Sequence, residues 1–251
     1  MFELDGKVVL VTGGGGARVG TGAGISMAFA RQGAAVAVND RDADAAQQTV
    51  RSIVDAGGAA AAFPFDVRDA AAVNEGVERV RGELGPIDIL VNCAGGGSQL
   101  PFREMDAGHW TRIIELNLFG VVNCTRAVID AMCDSGWGRI VTISSSAAFM
   151  GSAIGVTAYG AGKGGATSFM RQLAIEVAPF GVTANCVAPG MVRLPGTKGD
   201  IGREVPASAY PPVGRIGLPD DIGALCVYLA SPEASWMTGQ TVHINGGAYT
   251  T

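Results

Sequence analysis

Hydrophobic residues recur along the chain in two alternating patterns. Short runs rich in β-branched residues, such as VVLVT and IDILVN, are followed by a turn and then by a longer stretch with apolar residues at helical spacing. This alternation predicts strands and helices that follow one another through the chain. The predicted strands cover residues 7–12, 34–39, 60–65, 87–92, 138–144, 182–187 and 241–244.

The predicted helices lie between these strands. Because the strands read as continuous apolar runs, both of their faces should be buried, which is typical of a parallel sheet covered by helices on each side. The sequence therefore predicts an α/β fold: a single-domain, doubly wound Rossmann sheet of seven parallel strands, formed by residues 1–251. The predicted helices cover residues 24–32, 43–56, 70–84, 107–133, 158–178 and 220–230.

One stretch, at about residues 193–217, does not follow the alternation. It contains four prolines with glycines between them, and it shows neither strand nor helix spacing. Long loops in compact domains are usually functional. We interpret this segment as a loop that covers a substrate.

Composition and charge narrow the classes of function. With a net charge of -5 and no basic cluster, the chain offers no surface for a nucleic acid. The N-terminal residues show no signal-peptide pattern, and charged residues or glycines interrupt the apolar runs before they reach membrane-spanning length. Five cysteines without a C-x-x-C pair indicate reduced thiols and no metal site. These features predict a cytoplasmic protein without nucleic-acid or membrane partners.

A glycine-rich turn follows the first predicted strand and precedes the first helix. Such a turn lets backbone N–H groups approach a pyrophosphate, and the candidate contacts are Gly13, Gly24 and Ile25. Asp40 ends the second strand, where a carboxylate can accept hydrogen bonds from an adenosine ribose and repels a 2′-phosphate. Asp40 therefore favours NAD; NADP is the alternative, because Arg41 could bind that phosphate.

Tyr159 and Lys163 are four residues apart, so on a helix they share one face. The preceding strand, RIVTISSS, ends in serines at the sheet edge where ligands bind in this architecture. A phenol has an ordinary pKa of about 10, and a nearby ammonium favours the phenolate. The three residue types together indicate acid/base chemistry at a carbonyl or an alcohol.

The chain resembles the short-chain dehydrogenase/reductase family over nearly its whole length. The resemblance implies an NAD(P)-dependent oxidoreductase that transfers a hydride between the nicotinamide and a ketone or secondary alcohol, and a homotetramer built on the two helices that carry Asn117 and Tyr159. It rests on an ordered set of segments: TGG at residues 12–14, FDV at 65–67, NCAG at 92–95, ELN at 115–117, ISS at 143–145, YGAGK at 159–163, NCVAPG at 185–190, RIGLPDDI at 215–222 and the closing TGQ and INGG.

The resemblance also implies roles for individual residues. Tyr159 would be the proton carrier, and Lys163 would bind the nicotinamide ribose and lower the pKa of that tyrosine. Ser145 would polarise the carbonyl, and Asn117 would hold a water in the proton relay. The implied cofactor contacts are Asp66 and Val67 at the adenine, Asn92, Ala94 and Gly95 at the central strand, and Pro189, Gly190 and Val192 along the nicotinamide.

Three alternatives bear on this prediction, of which the enoyl reductase does not fit the residues. Ser146 replaces Ser145 if the register is counted back from Tyr159 instead of forward from the strand; we prefer Ser145 because loops absorb an insertion more readily than buried strands. An enoyl reductase would need a tyrosine seven residues before Lys163, where Val156 stands. The alternative from another class is a catalytically silent dinucleotide sensor on the same fold.

Departures from the family pattern concern the cofactor site. The glycine loop is several residues longer than usual, and Ser26 stands where the last glycine of the motif is expected. Leu194 replaces a threonine that often contacts the nicotinamide amide. Each of Trp110, Trp137 and Trp236 stands near the end of an element, where large aromatics usually cap a core or a subunit contact.

Overall fold

The computed structural model describes residues 1–15, 20–97, 99–193 and 210–250. Within these ranges seven strands form one sheet in the order β3-β2-β1-β4-β5-β6-β7, and every neighbouring pair is parallel. The strands are β1 (Val8–Thr12), β2 (Ala35–Val38), β3 (Ala59–Ala62), β4 (Ile89–Asn92), β5 (Gly138–Ile143), β6 (Val182–Pro189) and β7 (Thr241–Ile244). The predicted doubly wound Rossmann sheet is confirmed.

Helices cover both faces of this sheet. Successive residues of β1 alternate between two apolar cores: Val8 and Leu10 pack on one side, and Val9 and Val11 pack on the other. This alternation explains why the strands read as continuous apolar runs. The helices are α1 (Thr21–Arg31), α2 (Ala43–Asp55), α3 (Ala70–Leu84), α4 (Ala107–Ile114), α5 (Gly120–Ser135), α6 (Thr157–Val177) and α7 (Pro219–Ala230).

The two cores are built by different helices. Apolar residues of α3, α5 and α6 pack on one face of the sheet, and those of α1, α2 and α7 pack on the other. The chain reverses direction across the sheet between β1 and β4, which are neighbours although α1, α2 and α3 separate them in sequence. Ligands of open α/β sheets bind at such a reversal, beyond the carboxyl ends of the strands.

Strand β3 ends three residues earlier than the sequence predicts. Beyond Ala62 the chain continues through Pro64, which has no N–H for a ladder hydrogen bond. The Asn39 side-chain amide instead donates hydrogen bonds of 3.0 Å to the carbonyls of Phe63 and Phe65. A side chain of the neighbouring segment therefore replaces the strand pairing at this point.

The predicted helix 107–133 is interrupted by a π-helical turn. Helix α4 passes into the turn Glu115–Phe119 and then into α5 without leaving the helical path. By length and composition alone, the stretch Ala107–Ser135 could cross a membrane, and 39% of its most apolar part is buried inside the protein. The inner side of this stretch packs in the core through Val121, Val128 and Met132, so part of its apolar surface covers one face of the sheet.

Candidate active site

The carboxyl ends of β1, β4, β5 and β6 border an open cleft with a volume of about 420 Å³. A second cavity of about 530 Å³ lies at the amino ends of the strands, beside the ends of α1 and α2. The cleft is lined by Gly13, Gly20, Thr21, Gly22, Cys93, Gly95, Gly96, Ile143, Ser144, Ser145, Tyr159, Lys163, Pro189, Gly190, Met191 and Val192.

The glycine turn brings backbone close to backbone. Gly13 has a φ of +62°, and a Cβ there would lie 2.7 Å from the Cα of Ala94. A Cβ on Gly22 would overlap the carbonyl oxygen of Gly13. Only glycines fit this contact, and together with the N-terminus of α1 they form a cradle suited to a pyrophosphate.

Two candidate pyrophosphate contacts lie elsewhere. Gly24 packs against Pro219 of α7, and Ile25 is fully buried in the core, so neither lines the cleft. Helix α1 begins at Thr21, three residues before the predicted start, and this places Gly20, Thr21 and Gly22 at the cleft instead. The sequence signal for this start is Gly20, which directly precedes the first turn of α1. Residues 16–19 of the lengthened loop, with Arg18, lie outside the described residues.

A smaller cavity of about 170 Å³ adjoins the cleft between the ends of β1 and β2. Asp40 lies in its wall, and its carboxylate accepts hydrogen bonds from the backbone N–H of Gly15, at 3.2 Å, and of Asp42, at 3.1 Å. These bonds fix the carboxylate at the predicted ribose position. Arg41 lies in the same wall.

Asp66 and Val67, the residues predicted to contact the adenine, also line this smaller cavity. The guanidinium of Arg68 donates to both carboxylate oxygens of Asp66, and this hydrogen bonding lowers the pKa of Asp66. The Asn123 side-chain amide donates to the Val67 carbonyl at 3.0 Å. Arg68 was not predicted from the sequence, because nothing in its spacing distinguishes it from an ordinary surface arginine.

Buried hydrogen bonds fix the ends of β1 and β4. The Thr12 hydroxyl accepts hydrogen bonds of 3.1 Å from the N–H groups of both Cys93 and Ala94. The Asn92 side-chain amide donates to the hydroxyls of Thr125 and Thr142, each at 3.2 Å. Ala94 is thereby held against the glycine turn, and Ala94 and Gly95 both lie in the wall of the smaller cavity.

Asn117 lies in the π-helical turn and is completely buried. Its side-chain amide donates to the carbonyls of Gly96, at 2.7 Å, and Ile113, at 2.9 Å, while its oxygen accepts from the N–H of Gly96. The π turn widens the helix so that Asn117 can bond to the strand loop and to its own helix together. Such turns often occur at functional sites, and this one was not visible in the residue spacing.

Ser145 and Tyr159 both line the cleft. The side chain of Ser145 lies close enough to the phenol of Tyr159 to influence its pKa, and its hydroxyl accepts a hydrogen bond from the N–H of Ala147 at 3.2 Å. Ser146 begins the short 3₁₀ turn Ser146–Ala148 and does not line the cleft. Ser144 faces inward, where its hydroxyl bonds to that of Thr167 at 2.8 Å.

Lys163 is 3% exposed, on the helix face that it shares with Tyr159. Its Nζ donates to the carbonyl oxygen of Ile143 at 2.7 Å and lies 5.9 Å from the centre of the Tyr159 ring. Burial lowers the pKa of Lys163 to about 8. The lysine is therefore held by the strand that precedes Ser145, and its charge is poorly solvated.

Burial also raises the pKa of Tyr159 above its ordinary value, although the neighbouring Ser145 hydroxyl acts in the opposite direction. The resemblance implies a pKa lowered by Lys163, but the structure shows desolvation as the largest influence on the phenol. The distance of 5.9 Å and the Ile143 carbonyl, which takes up the ammonium hydrogen bond, account for this difference. Cys93 lies in the cleft as a neutral thiol, because burial raises its pKa to about 11.

The end of β6 forms the other wall of the cleft through Pro189, Gly190 and Val192. Val192 forms an isolated parallel bridge with Gly217, made by the hydrogen bonds Arg193 N–H to Gly217 carbonyl and Gly217 N–H to Met191 carbonyl. The amide and carbonyl of Val192 itself take no part in this bridge. Leu194 and most of the predicted substrate loop, residues 194–209, lie outside the described residues.

These residues fit a dinucleotide cofactor in shape and in chemistry. A glycine cradle meets the N-terminus of α1, hydrogen bonds fix the Asp40 carboxylate where the ribose is predicted, and the hydroxyls of Ser145 and Tyr159 lie in the same cleft as the buried Lys163 ammonium. A Rossmann sheet with this arrangement defines a dinucleotide-dependent oxidoreductase.

Comparisons with known proteins agree with this assignment. A family model described as Enoyl-(Acyl carrier protein) reductase matches residues 15–249. The short-chain reductase protein NovJ of Streptomyces niveus is 40% identical, over 96% of this chain and 93% of its own. The chain belongs to the short-chain dehydrogenase/reductase family.

Two solved structures share the fold at high similarity. A 7α-hydroxysteroid dehydrogenase complexed with NADH and 7-oxoglycochenodeoxycholic acid has a TM-score of 0.89 and 34% identity, over 98% of this chain and 95% of its own. A gluconate 5-dehydrogenase from Burkholderia cenocepacia in complex with NADP and tartrate has a TM-score of 0.88 and 30% identity, over 98% and 96%. The protein is an NAD(P)-dependent oxidoreductase that acts on a ketone or a secondary alcohol.

Proposed function

We propose that Ser145, Tyr159, Lys163 and Asn117 carry out the proton chemistry of this oxidoreductase. The observation that carries the proposal is the convergence of the Ser145 and Tyr159 side chains beside Lys163 at the end of the cleft. The nicotinamide, when bound, supplies or accepts the hydride. Pro189, Gly190 and Val192 would lie along the nicotinamide, with Val192 offering its backbone groups to the carboxamide, and Gly13 would lie at the pyrophosphate.

Tyr159 holds the proton that the substrate oxygen gains on reduction and loses on oxidation. Because burial raises its pKa, the phenol is protonated at neutral pH and ready to donate. The Ser145 hydroxyl is positioned to donate a hydrogen bond to the same oxygen. Lys163 is held by the Ile143 carbonyl, and Asn117 by Gly96 and Ile113, so both present fixed polar groups behind the tyrosine.

The direct test of this function is the change in NADH absorbance with a panel of ketones, and in the reverse direction with secondary alcohols. Turnover with at least one carbonyl substrate is expected. Cofactor binding without turnover across a broad panel would support the silent sensor instead. A matched panel of α,β-unsaturated thioesters tests the enoyl reduction named in the family description, and no turnover is expected because Val156 stands seven residues before Lys163.

For the coenzyme we propose that NAD(H) is preferred over NADP(H). The Asp40 carboxylate is held by Gly15 and Asp42 at the ribose position, and a 2′-phosphate beside it would experience like-charge repulsion and desolvation. The value of kcat/KM for NADH should exceed that for NADPH. The opposite preference in the native protein would refute the assignment and direct attention to Arg41 or Arg18 as the phosphate ligand.

We further propose a homotetramer whose subunits meet through the helices that carry Asn117 and Tyr159. Phe119, between α4 and α5, is 52% exposed, and Ile175 on α6 is 70% exposed. Trp236, before β7, is 98% exposed and would suit a second contact. Light scattering of the purified protein, combined with size-exclusion chromatography, should give four times the mass of the chain; a monomer would contradict the proposal.

A cytoplasmic location is proposed on the state of the cysteines. All five are free thiols, and three of them are buried. Reduced, buried cysteines are typical of proteins that fold in a reducing compartment. Fractionation of cells that express the tagged protein should place it in the cytoplasm, and recovery from an exported fraction would contradict this.

A further inference from the structure

The two ends of the irregular segment are joined at its base. Gly217 lies beside Val192 in the parallel bridge, with hydrogen bonds of 2.8 Å and 3.1 Å to the neighbours of Val192. On the other side, the N–H of Val213 donates to the carbonyl of Gly246 at 3.1 Å. The position of the β6 end therefore depends on the short stretch 213–217 that pairs with it.

Arg215 fixes this stretch to the last helix. Its guanidinium donates two hydrogen bonds of 2.7 Å, one to each carboxylate oxygen of Asp221 in the first turn of α7. The same guanidinium donates to the carbonyl of Ile216, and Asp221 also accepts from the N–H of Leu218. One planar ion pair thus bonds to the backbone on either side of Gly217.

We propose that Arg215 and Asp221 are positioning residues for the nicotinamide, acting through Gly217 on Val192. The bridge does not use the amide or the carbonyl of Val192, and Val192 itself lines the cleft. A small rotation of Gly217 would turn these two groups away from a carboxamide. The inference rests on the proposed role of Val192 and adds to it the pair that sets its orientation.

The solvent exposure of the Arg215–Asp221 ion pair indicates that its main role is not to stabilise the fold. The side chain of Arg215 is 56% exposed and that of Asp221 is 29% exposed, and ion pairs at such positions contribute little to stability. The pair Arg31–Asp220 provides a matched control, since Asp220 is the residue before Asp221 in α7. It has a single contact of 3.1 Å, and neither partner bonds to the segment 213–217.

The experiment compares the dissociation constants of NADH and of ADP-ribose, which lacks the nicotinamide, measured by calorimetry. In Arg215→Ala, NADH should bind about three- to tenfold more weakly, as expected for the loss of one modest coupling, while ADP-ribose binding stays native. Arg215→Lys keeps the charge but cannot form both hydrogen bonds to the carboxylate, so its NADH dissociation constant should lie between those of the native protein and Arg215→Ala. Arg31→Ala should leave both constants unchanged.

Three results would overturn the proposal: unchanged NADH binding in Arg215→Ala, equal weakening of both ligands, or the same selective loss in Arg31→Ala. If Arg215→Ala does not fold, the same comparison in Arg215→Lys decides. Val192→Pro separates this proposal from the function on which it rests, because it removes the Val192 N–H, which the bridge does not use, and leaves Arg215 and Asp221 in place. Selective loss of NADH affinity in Val192→Pro but not in the Arg215 variants would refute the inference alone. Native NADH affinity in Val192→Pro would refute the role of Val192 and the inference with it.

Discussion

The two ends of the cleft, which we propose as an adenine end at Asp40 and Asp66 and a reacting end at Tyr159 and Lys163, hold their charged groups in different environments. At the adenine end the charged groups are partly exposed and already bonded: Asp40 to backbone N–H groups, and Asp66 to Arg68. At the reacting end Lys163 is buried without a carboxylate among its hydrogen-bond partners in the described residues, and Tyr159 is half-buried against Ser145. The adenine end can recognise a ligand by charge. At the reacting end, burial away from water sets the pKa values of Tyr159 and Lys163.

The pKa values follow this division. Hydrogen bonding by Arg68 lowers the pKa of Asp66, so that the carboxyl is a stable anion at neutral pH. Burial raises the pKa of Tyr159 and lowers that of Lys163 to about 8, so both groups are shifted toward their neutral forms. Substitutions at the reacting end should therefore change chemistry and pH dependence, and substitutions at the adenine end should change the choice of ligand.

The largest effect is expected for Tyr159→Phe. The ring and its packing remain, but the proton carrier is lost, so kcat should fall by roughly 10² to 10⁴. The dissociation constant for NADH, measured by fluorescence, should stay within about twofold of native, because one hydrogen bond at the reacting end contributes little to cofactor affinity. A variant with native kcat would exclude Tyr159 as the acid, and lost cofactor binding would show that the two ends are not separable.

A smaller loss is expected for Ser145→Ala. Removing a donor aimed at the substrate oxygen typically lowers kcat by roughly 10² to 10³. Ser146→Ala is the matched control, since Ser146 begins the 3₁₀ turn and does not line the cleft. Steady-state kinetics of both variants with one ketone would decide between the serines. The interpretation is reversed if Ser146→Ala is the inactive variant.

Lys163→Met tests whether burial controls the reacting end. The folded pKa of about 8 lies below the ordinary value of 10.5, so between these pH values the unfolded chain binds more protons and the free energy of unfolding rises with pH. Below pH 8 the full cost of burying the ammonium is present, about 3 kcal/mol. The variant lacks this contribution at every pH.

The stability advantage of Lys163→Met over native protein should therefore be largest at pH 7 and should decline by about 3 kcal/mol as the pH rises through the window from 8 to 10.5. Urea unfolding of both proteins at a series of pH values measures the difference, and effects of other titrating groups cancel. A difference independent of pH would mean that the lysine is solvated in the folded protein.

Much of the fold could be predicted from the sequence because parallel strands bury both faces. The alternation of apolar runs and helical stretches located all seven described strands, and strand-end residues such as Asn92 and Ser145 followed from them. What failed was local geometry. The start of α1 was placed at Gly24 because a run of alternating glycines has no periodicity, and the helix in fact begins at Thr21.

Other features of the site depend on contacts between distant segments. The π turn around Asn117 is stabilised by Gly96, 21 residues earlier, and the pairing of Val192 with Gly217 joins segments that no local pattern relates. Arg68 and Arg215 look like surface arginines until their carboxylate partners are seen. Sequence spacing indicated which residues are candidates for the chemistry. Contacts between distant segments determine how the side chains of these residues are oriented.

The smallest effect is expected at the adenine end, for Asp40→Asn. The amide oxygen can still accept from the N–H of Gly15, but the charge is gone. Two like charges about 4 Å apart repel by about 4 kcal/mol at an effective dielectric constant of 20, and solvent at this half-exposed position reduces that energy. The ratio of kcat/KM for NADPH to that for NADH should therefore rise only about tenfold.

Steady-state kinetics at low and high salt measure this ratio, and the difference between native protein and Asp40→Asn should narrow as salt screens the carboxylate. Asp42→Asn is the matched control, because Asp42 caps helix α2 through Asp44 and Ala45 and does not line the adenine cavity. An asparagine can keep that cap, so its coenzyme ratio should be native. If both variants shift the ratio equally, coenzyme choice depends on the general negative potential of this edge. The adenine end then does not recognise the coenzyme through the Asp40 carboxylate in particular.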